Sequence, residues 1–117
     1  HYSKTYIKVK NLIDYINTHY SEKLTSQDIE STFKSNYDYL NRIFHSMTGY
    51  TILHYINNVR IIKAKELIES SSMNFSEIGY LVGIESPYYF SKLFKKYTGS
   101  TPTQYLKRVM LEVPGRT

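Results

Sequence analysis

The strongest constraint on this chain is that it repeats itself. Residues 39–60 align with residues 89–110 at a shift of 50 positions. Tyr39 pairs with Tyr89, Phe44 with Phe94, Thr48-Gly49 with Thr98-Gly99, Thr51 with Thr101, Tyr55 with Tyr105 and Val59 with Val109. Leu40/Phe90, Arg42/Lys92, Ile43/Leu93 and Ile56/Leu106 are conservative pairs. Upstream, Ile29 and Ile78 correspond at a shift of 49, so one turn is a residue longer in the second copy. Each copy reads as a short helix, a turn, a second helix, a glycine stop and a third helix. In 117 residues this leaves room for two very small subdomains. The shared Phe, Tyr and Gly positions are core and capping residues, which define the unit and not its chemistry.

The hydrophobic spacing is helical from end to end. Val9, Leu12, Ile13, Ile16 and Tyr20 predict an amphipathic helix over 5–20. Thr25 with Asp28 forms a capping box for a short helix that turns Ile29 and Phe33 inward. After a turn at 34–37, Leu40, Ile43, Phe44 and Met47 form the next buried stripe, closed by Gly49. A long helix over 51–69 is apolar on two faces, Ile52, Tyr55, Ile56, Val59, Ile62 and Leu67 against Ile61, Ala64 and Ile68. Asn74 with Glu77 caps a short helix carrying Phe75, Ile78, Leu81 and Val82, stopped by Gly83. Ser86-Pro87 starts the helix of Phe90, Leu93, Phe94 and Tyr97, stopped by Gly99. Thr101-Pro102 with Gln104 caps the last one, with Tyr105, Leu106 and Val109. The expected fold class is therefore all-α with seven helices, two helix-turn-helix subdomains joined by a long linker helix. The first subdomain covers 1–50, the linker helix 51–70, the second subdomain 71–110, and 111–117 is a tail.

The excess positive charge lies on the repeats. The net charge is +5, from 15 Lys and Arg against 10 Asp and Glu. Residues 86–111 hold Lys92, Lys95, Lys96, Lys107 and Arg108 with no acid, and residues 34–65 hold Lys34, Arg42, Arg60, Lys63 and Lys65 against Asp38 alone. Two basic blocks in so short a chain point to a polyanion.

Opposite each buried stripe runs a row of hydrogen-bonding side chains. In the first copy it is Asp38, Asn41, Arg42 and His45, at i, i+3, i+4 and i+7. In the second it is Tyr88, Ser91, Lys92 and Lys95. This is the plan in which a second helix enters the major groove. Arg and Lys donate to guanine O6 and N7, Asn suits adenine, and Asp accepts from cytosine N4. Asp38 is either such a reader or an internal partner of Arg42, four residues on. Lys34, Tyr50, Thr51, Arg60, Lys63, Lys96, Thr101 and Lys107 are the candidate phosphate contacts, with Ser100 a further one past its glycine stop. A linker of about 18 residues, at roughly 1.5 Å each, spans ~27 Å. It can hold two reading helices about one DNA turn apart, in successive major grooves.

The segment Ile78-Gly79-Tyr80-Leu81-Val82-Gly83-Ile84-Glu85-Ser86-Pro87-Tyr88-Tyr89-Phe90-Ser91-Lys92-Leu93-Phe94-Lys95-Lys96-Tyr97-Thr98-Gly99, continued by Ser100-Thr101-Pro102-Thr103-Gln104-Tyr105, resembles the second-motif signature of AraC/XylS-type transcription regulators. Tyr39-Leu40-Asn41-Arg42-Ile43-Phe44, Thr48-Gly49, Arg60-Ile61, Ala64 and Leu67 are similar to the family pattern too, and the likeness covers about 5–109. It implies a promoter-binding domain that regulates transcription. The partners it implies are double-stranded DNA, RNA polymerase, and a sensor or dimerisation domain elsewhere in a longer protein; the start at His1 rather than Met fits such a piece. The family's base-reading positions fall on Asp38, Asn41 and Arg42, and on Pro87, Tyr88, Ser91 and Lys92. Pro87 cannot hydrogen-bond a base. Lys34 stands where the family commonly has glycine, so that turn is expected to be distorted or to touch a phosphate.

Other classes fit less well. With no cysteine there is no thiolate zinc site, disulfide scaffold or cysteine nucleophile. His1, His19, His45 and His54 lack metal-ligand spacing, and no phosphate-loop glycine run is present. No enzyme activity and no cofactor are expected. A helical protein–protein adaptor is the alternative. With no membrane span and no secretory signal, the expected location is the cytoplasm.

Overall fold

The computed structural model describes residues 3–112, which form seven helices and, among the described residues, no strand. The helices are α1 (Lys4–His19), α2 (Ser26–Phe33), α3 (Tyr37–Thr48), α4 (Ile52–Ser70), α5 (Phe75–Leu81), α6 (Pro87–Thr98) and α7 (Pro102–Glu112). His1, Tyr2 and 113–117, most of the expected tail, lie outside the described residues. Two compact units divide the chain, His1–Val59 and Arg60–Thr117. The long helix α4 contributes to both, closing the first helix-turn-helix and leading into the second.

Local signals set the helix ends. The Thr25 hydroxyl accepts from the Asp28 N–H while the Asp28 carboxylate accepts from the Thr25 N–H. The hydrogen bonds that Thr25 donates hold the Asp28 carboxyl below its ordinary range. Asn74 and Glu77 form the same box on α5, and Thr101 and Gln104 repeat it on α7. Ser86 caps α6 with Pro87 in its first turn. Gly49 and Gly99 end α3 and α6 at φ 82° and 84°, in the left-handed region that glycine enters without a Cβ clash.

The repeat is geometric as well as sequential. Thr48 donates to the Phe44 carbonyl at 2.7 Å, and Thr98 to the Phe94 carbonyl at 2.8 Å. Phe44 meets Tyr55 edge to face at 5.5 Å, and Phe94 meets Tyr105 at the same distance. In the first unit Val9, Leu12, Ile16, Ile29, Leu40, Phe44, Ile52 and Ile56 form one core. In the second, Ile68, Ile78, Val82, Ile84, Phe90, Leu93 and Phe94 are buried.

Three apolar residues depart from their expected stripes. Met47, Ile62 and Leu81 are 45%, 45% and 47% exposed. On α4 the buried positions pass from Ile52 and Ile56 to Ile61, Ala64 and Ile68, and Ile62 falls outside both sets. Leu81 is the last residue of a two-turn helix, where Ile78 and Val82 take the inward positions.

Candidate nucleic-acid interface

In the first unit the turn before α3 is built on Lys34, whose φ of 51° and ψ of 43° are left-handed. It is the one non-glycine residue with positive φ among the described residues. Gly83 takes the matching place in the second copy at φ 94°. The Tyr37 N–H donates to the Glu30 carboxylate at 2.6 Å, fixing α3 against α2. Burial, with Asp38 beside it, pushes the Tyr37 phenol up and keeps it protonated.

The outward row of α3 is exposed at three of its four positions. Asp38, Arg42 and His45 are exposed and Asn41 is half-buried. Among the described residues no ion pair joins Asp38 to Arg42; the Arg42 guanidinium lies over the Tyr39 ring, 5.8 Å from its centroid. Asn41 also serves the fold, because its Oδ1 accepts the Ile52 N–H at 2.8 Å.

Lys8 is a cation that sequence reasoning passed over. Its ammonium donates to Ser35 Oγ at 3.1 Å and lies 5.2 Å from the Tyr39 ring centroid. A helix-wheel reading leaves Lys8 on the solvated face of α1; only the packing of α1 on α3 brings it to the ring that Arg42 also covers. Tyr50 is exposed and its ring stacks on His54 at 4.9 Å. The Thr51 hydroxyl accepts from the His54 N–H, capping α4.

Six of the second unit's candidates lie together. Tyr88, Ser91, Lys92 and Lys95, with Lys96 and Thr101, line one open depression of about 470 Å³. Tyr88 is 75% exposed, and the Lys92 ammonium lies 6.0 Å from its ring centroid. Lys96 lies over the Tyr97 ring. Arg60 is half-buried, and that burial lowers the pKa of its guanidinium while nearby Tyr89 opposes the shift. Lys63 pairs with Glu66 at 3.5 Å, and Lys107 is exposed. Ser100 does not stand at the surface as expected. It is buried, and its hydroxyl accepts from the Arg108 guanidinium at 2.8 Å, so it stiffens the corner between α6 and α7.

Two short-helix, turn, exposed-helix units with polar outer rows, mixed in charge on α3 and cationic on α6, define a helix-turn-helix module. Comparison with known proteins agrees. The helix-turn-helix domain family model matches residues 31–108. The uncharacterized HTH-type transcriptional regulator YisR of Bacillus subtilis is 38% identical over 99 residues, covering 85% of this chain and 34% of that protein. The C-terminal domain of AraT, a response regulator from Geobacillus stearothermophilus, superposes with a TM-score of 0.85 at 31% identity, covering 91% of this chain and 88% of that one. The DNA-binding domain of AdpA, solved in complex with a target DNA, shares the fold with a TM-score of 0.84 at 21% identity, covering 92% and 96%. The chain belongs to the AraC-type helix-turn-helix family, a family of sequence-specific DNA-binding domains that regulate transcription. It spans between a third and a half of the length of the first curated relatives it matches.

Proposed function

We propose that this chain is the output domain of a longer regulator and places α3 and α6 in successive major grooves of promoter DNA. Asp38, Arg42, His45 and the amide hydrogens of Asn41 face bases in one half-site; Tyr88, Ser91, Lys92 and Lys95 face those in the other. Lys34, Tyr50, Thr51, Arg60, Lys63, Lys96, Thr101 and Lys107 hold the backbone. The observation that carries this reading is the gathering of Tyr88, Ser91, Lys92, Lys95, Lys96 and Thr101 around one exposed depression. Base-facing and phosphate-facing groups meet there as groove binding requires. The helix α4, shared by both units over 19 residues, supports a single chain that engages two half-sites.

RNA polymerase and a separate sensor or dimerisation domain are the proposed protein partners. The proposed setting is the cytoplasm. Among the described residues no helix is long and apolar enough to cross a membrane.

The test compares two variants on a selected duplex and on random duplex. Arg42→Ala should lose about 1–3 kcal/mol on the selected site and little on random DNA, whereas Lys96→Ala should weaken both alike and reduce the salt slope by about one. Equal losses by Arg42→Ala on both duplexes would remove it from the base-reading set. Affinity independent of salt would remove duplex DNA as the ligand.

A further inference from the structure

The outward groups of α6 differ in kind from those of α3. From Ser86 to Gly99 the sequence holds no carboxylate and no carboxamide. The charged groups in the depression are the ammonium groups of Lys92, Lys95 and Lys96, which donate hydrogen bonds and cannot accept them. The hydroxyls of Tyr88, Ser91 and Thr101 work in either direction and so do not decide between bases. The lining is mostly hydrocarbon, from the Tyr88 ring and the lysine stems. On α3, by contrast, the exposed Asp38 carboxylate is an acceptor.

We propose that α6 selects keto edges in its half-site, guanine through O6 and N7 and thymine through O4 and its 5-methyl group, while α3 selects a base with an exposed amino group opposite Asp38. This rests on the DNA-binding reading above. In the major groove guanine presents two acceptors, and thymine presents an acceptor beside a methyl group. Both match a donor-rich, apolar-walled depression. The cytosine N4 amino group is a donor and would face ammonium groups that are donors themselves. The two half-sites are then chemically unlike, with keto edges under α6 and an amino group under α3.

A randomised duplex library selected with the full chain, in parallel with the Lys92→Ala/Lys95→Ala variant, tests this. The half-site whose preference vanishes in the variant is the one under α6. Guanine and thymine should be enriched on one of its strands. Replacing those thymines by uracil, which removes only the methyl group, should weaken binding several-fold, and cytosine in place of guanine roughly tenfold. Enrichment of cytosine or adenine at those positions, or thymine and uracil bound alike, would overturn the assignment while leaving DNA binding intact. A pool with no enrichment at either half would overturn the DNA reading and this inference with it.

Discussion

The Asn41 amide oxygen accepts the Ile52 N–H at 2.8 Å, tying α3 to the first turn of α4. The second copy solves the same problem by composition. Pro102 stands where Ile52 does and has no N–H, so Ser91, the counterpart of Asn41, has no donor there to satisfy. Ile52 is fully buried, and an N–H left unpaired there costs about 1–3 kcal/mol. Asn41→Ala should therefore lower stability by that amount in chemical denaturation, and Asn41→Asp, which keeps an acceptor, should restore most of it. Ser91→Ala should change stability by less than about 0.5 kcal/mol. A Ser91→Ala loss as large as that of Asn41→Ala would contradict the contrast.

Lys34 trades stability for charge. A residue with a Cβ in the left-handed region is strained by roughly 1–2 kcal/mol, and Lys34 sits there at φ 51°. Lys34→Gly should stabilise the chain by about 0.5–1 kcal/mol after the extra freedom glycine gives the unfolded state. The same variant should bind every duplex more weakly. Paired melting and binding curves check both halves of the prediction.

Gly79 is needed for space. A Cβ there would come within 2.8 Å of the Ile84 carbonyl oxygen and 3.3 Å of the Phe90 ring. The backbone carbonyl cannot yield without moving the turn into α6, so Gly79→Ala should destabilise by about 1–3 kcal/mol. Gly49→Ala meets open space and should cost only the left-handed strain, about 1 kcal/mol. Thermal unfolding of the two variants ranks them.

Tyr105 makes the second unit sensitive to alkali. Burial, helped by its hydrogen bond to Glu69, pushes its phenol from the ordinary 10.0 up to about 12. The folded state thus favours the protonated phenol. That stabilisation is complete below pH 10.0 and is lost as pH rises toward about 12. Tyr105→Phe should remove this part of the dependence, so wild type and variant should converge in melting temperature across that window. Parallel curves would show that the phenol is not coupled to folding.

Much of the fold was legible because the decisive signals are local. Thr25 with Asp28, Ser86 with Pro87, and the glycines at 49 and 99 act within one helical turn. The exposed outer face of α3 was legible for the same reason, since helical spacing alone puts Asp38, Arg42 and His45 on one side of it. The bond from Ile52 to Asn41, the approach of Lys8 to Tyr39 and the burial of Ser100 under Arg108 were not. Each joins side chains on different helices or across a corner, and depends on how one helix packs on the next. Ile62 lies outside its expected stripe because α4 changes its buried face along its length, which a single helical wheel does not follow.

Hydroxyl-radical footprinting of the full chain on a selected duplex tests the two-groove placement most directly. Two reading helices in successive grooves predict two protected patches about 10 base pairs apart on one side of the DNA. The patch under α6 should fade in the Lys92→Ala/Lys95→Ala variant. A single protected patch, or two on opposite sides of the duplex, would contradict it.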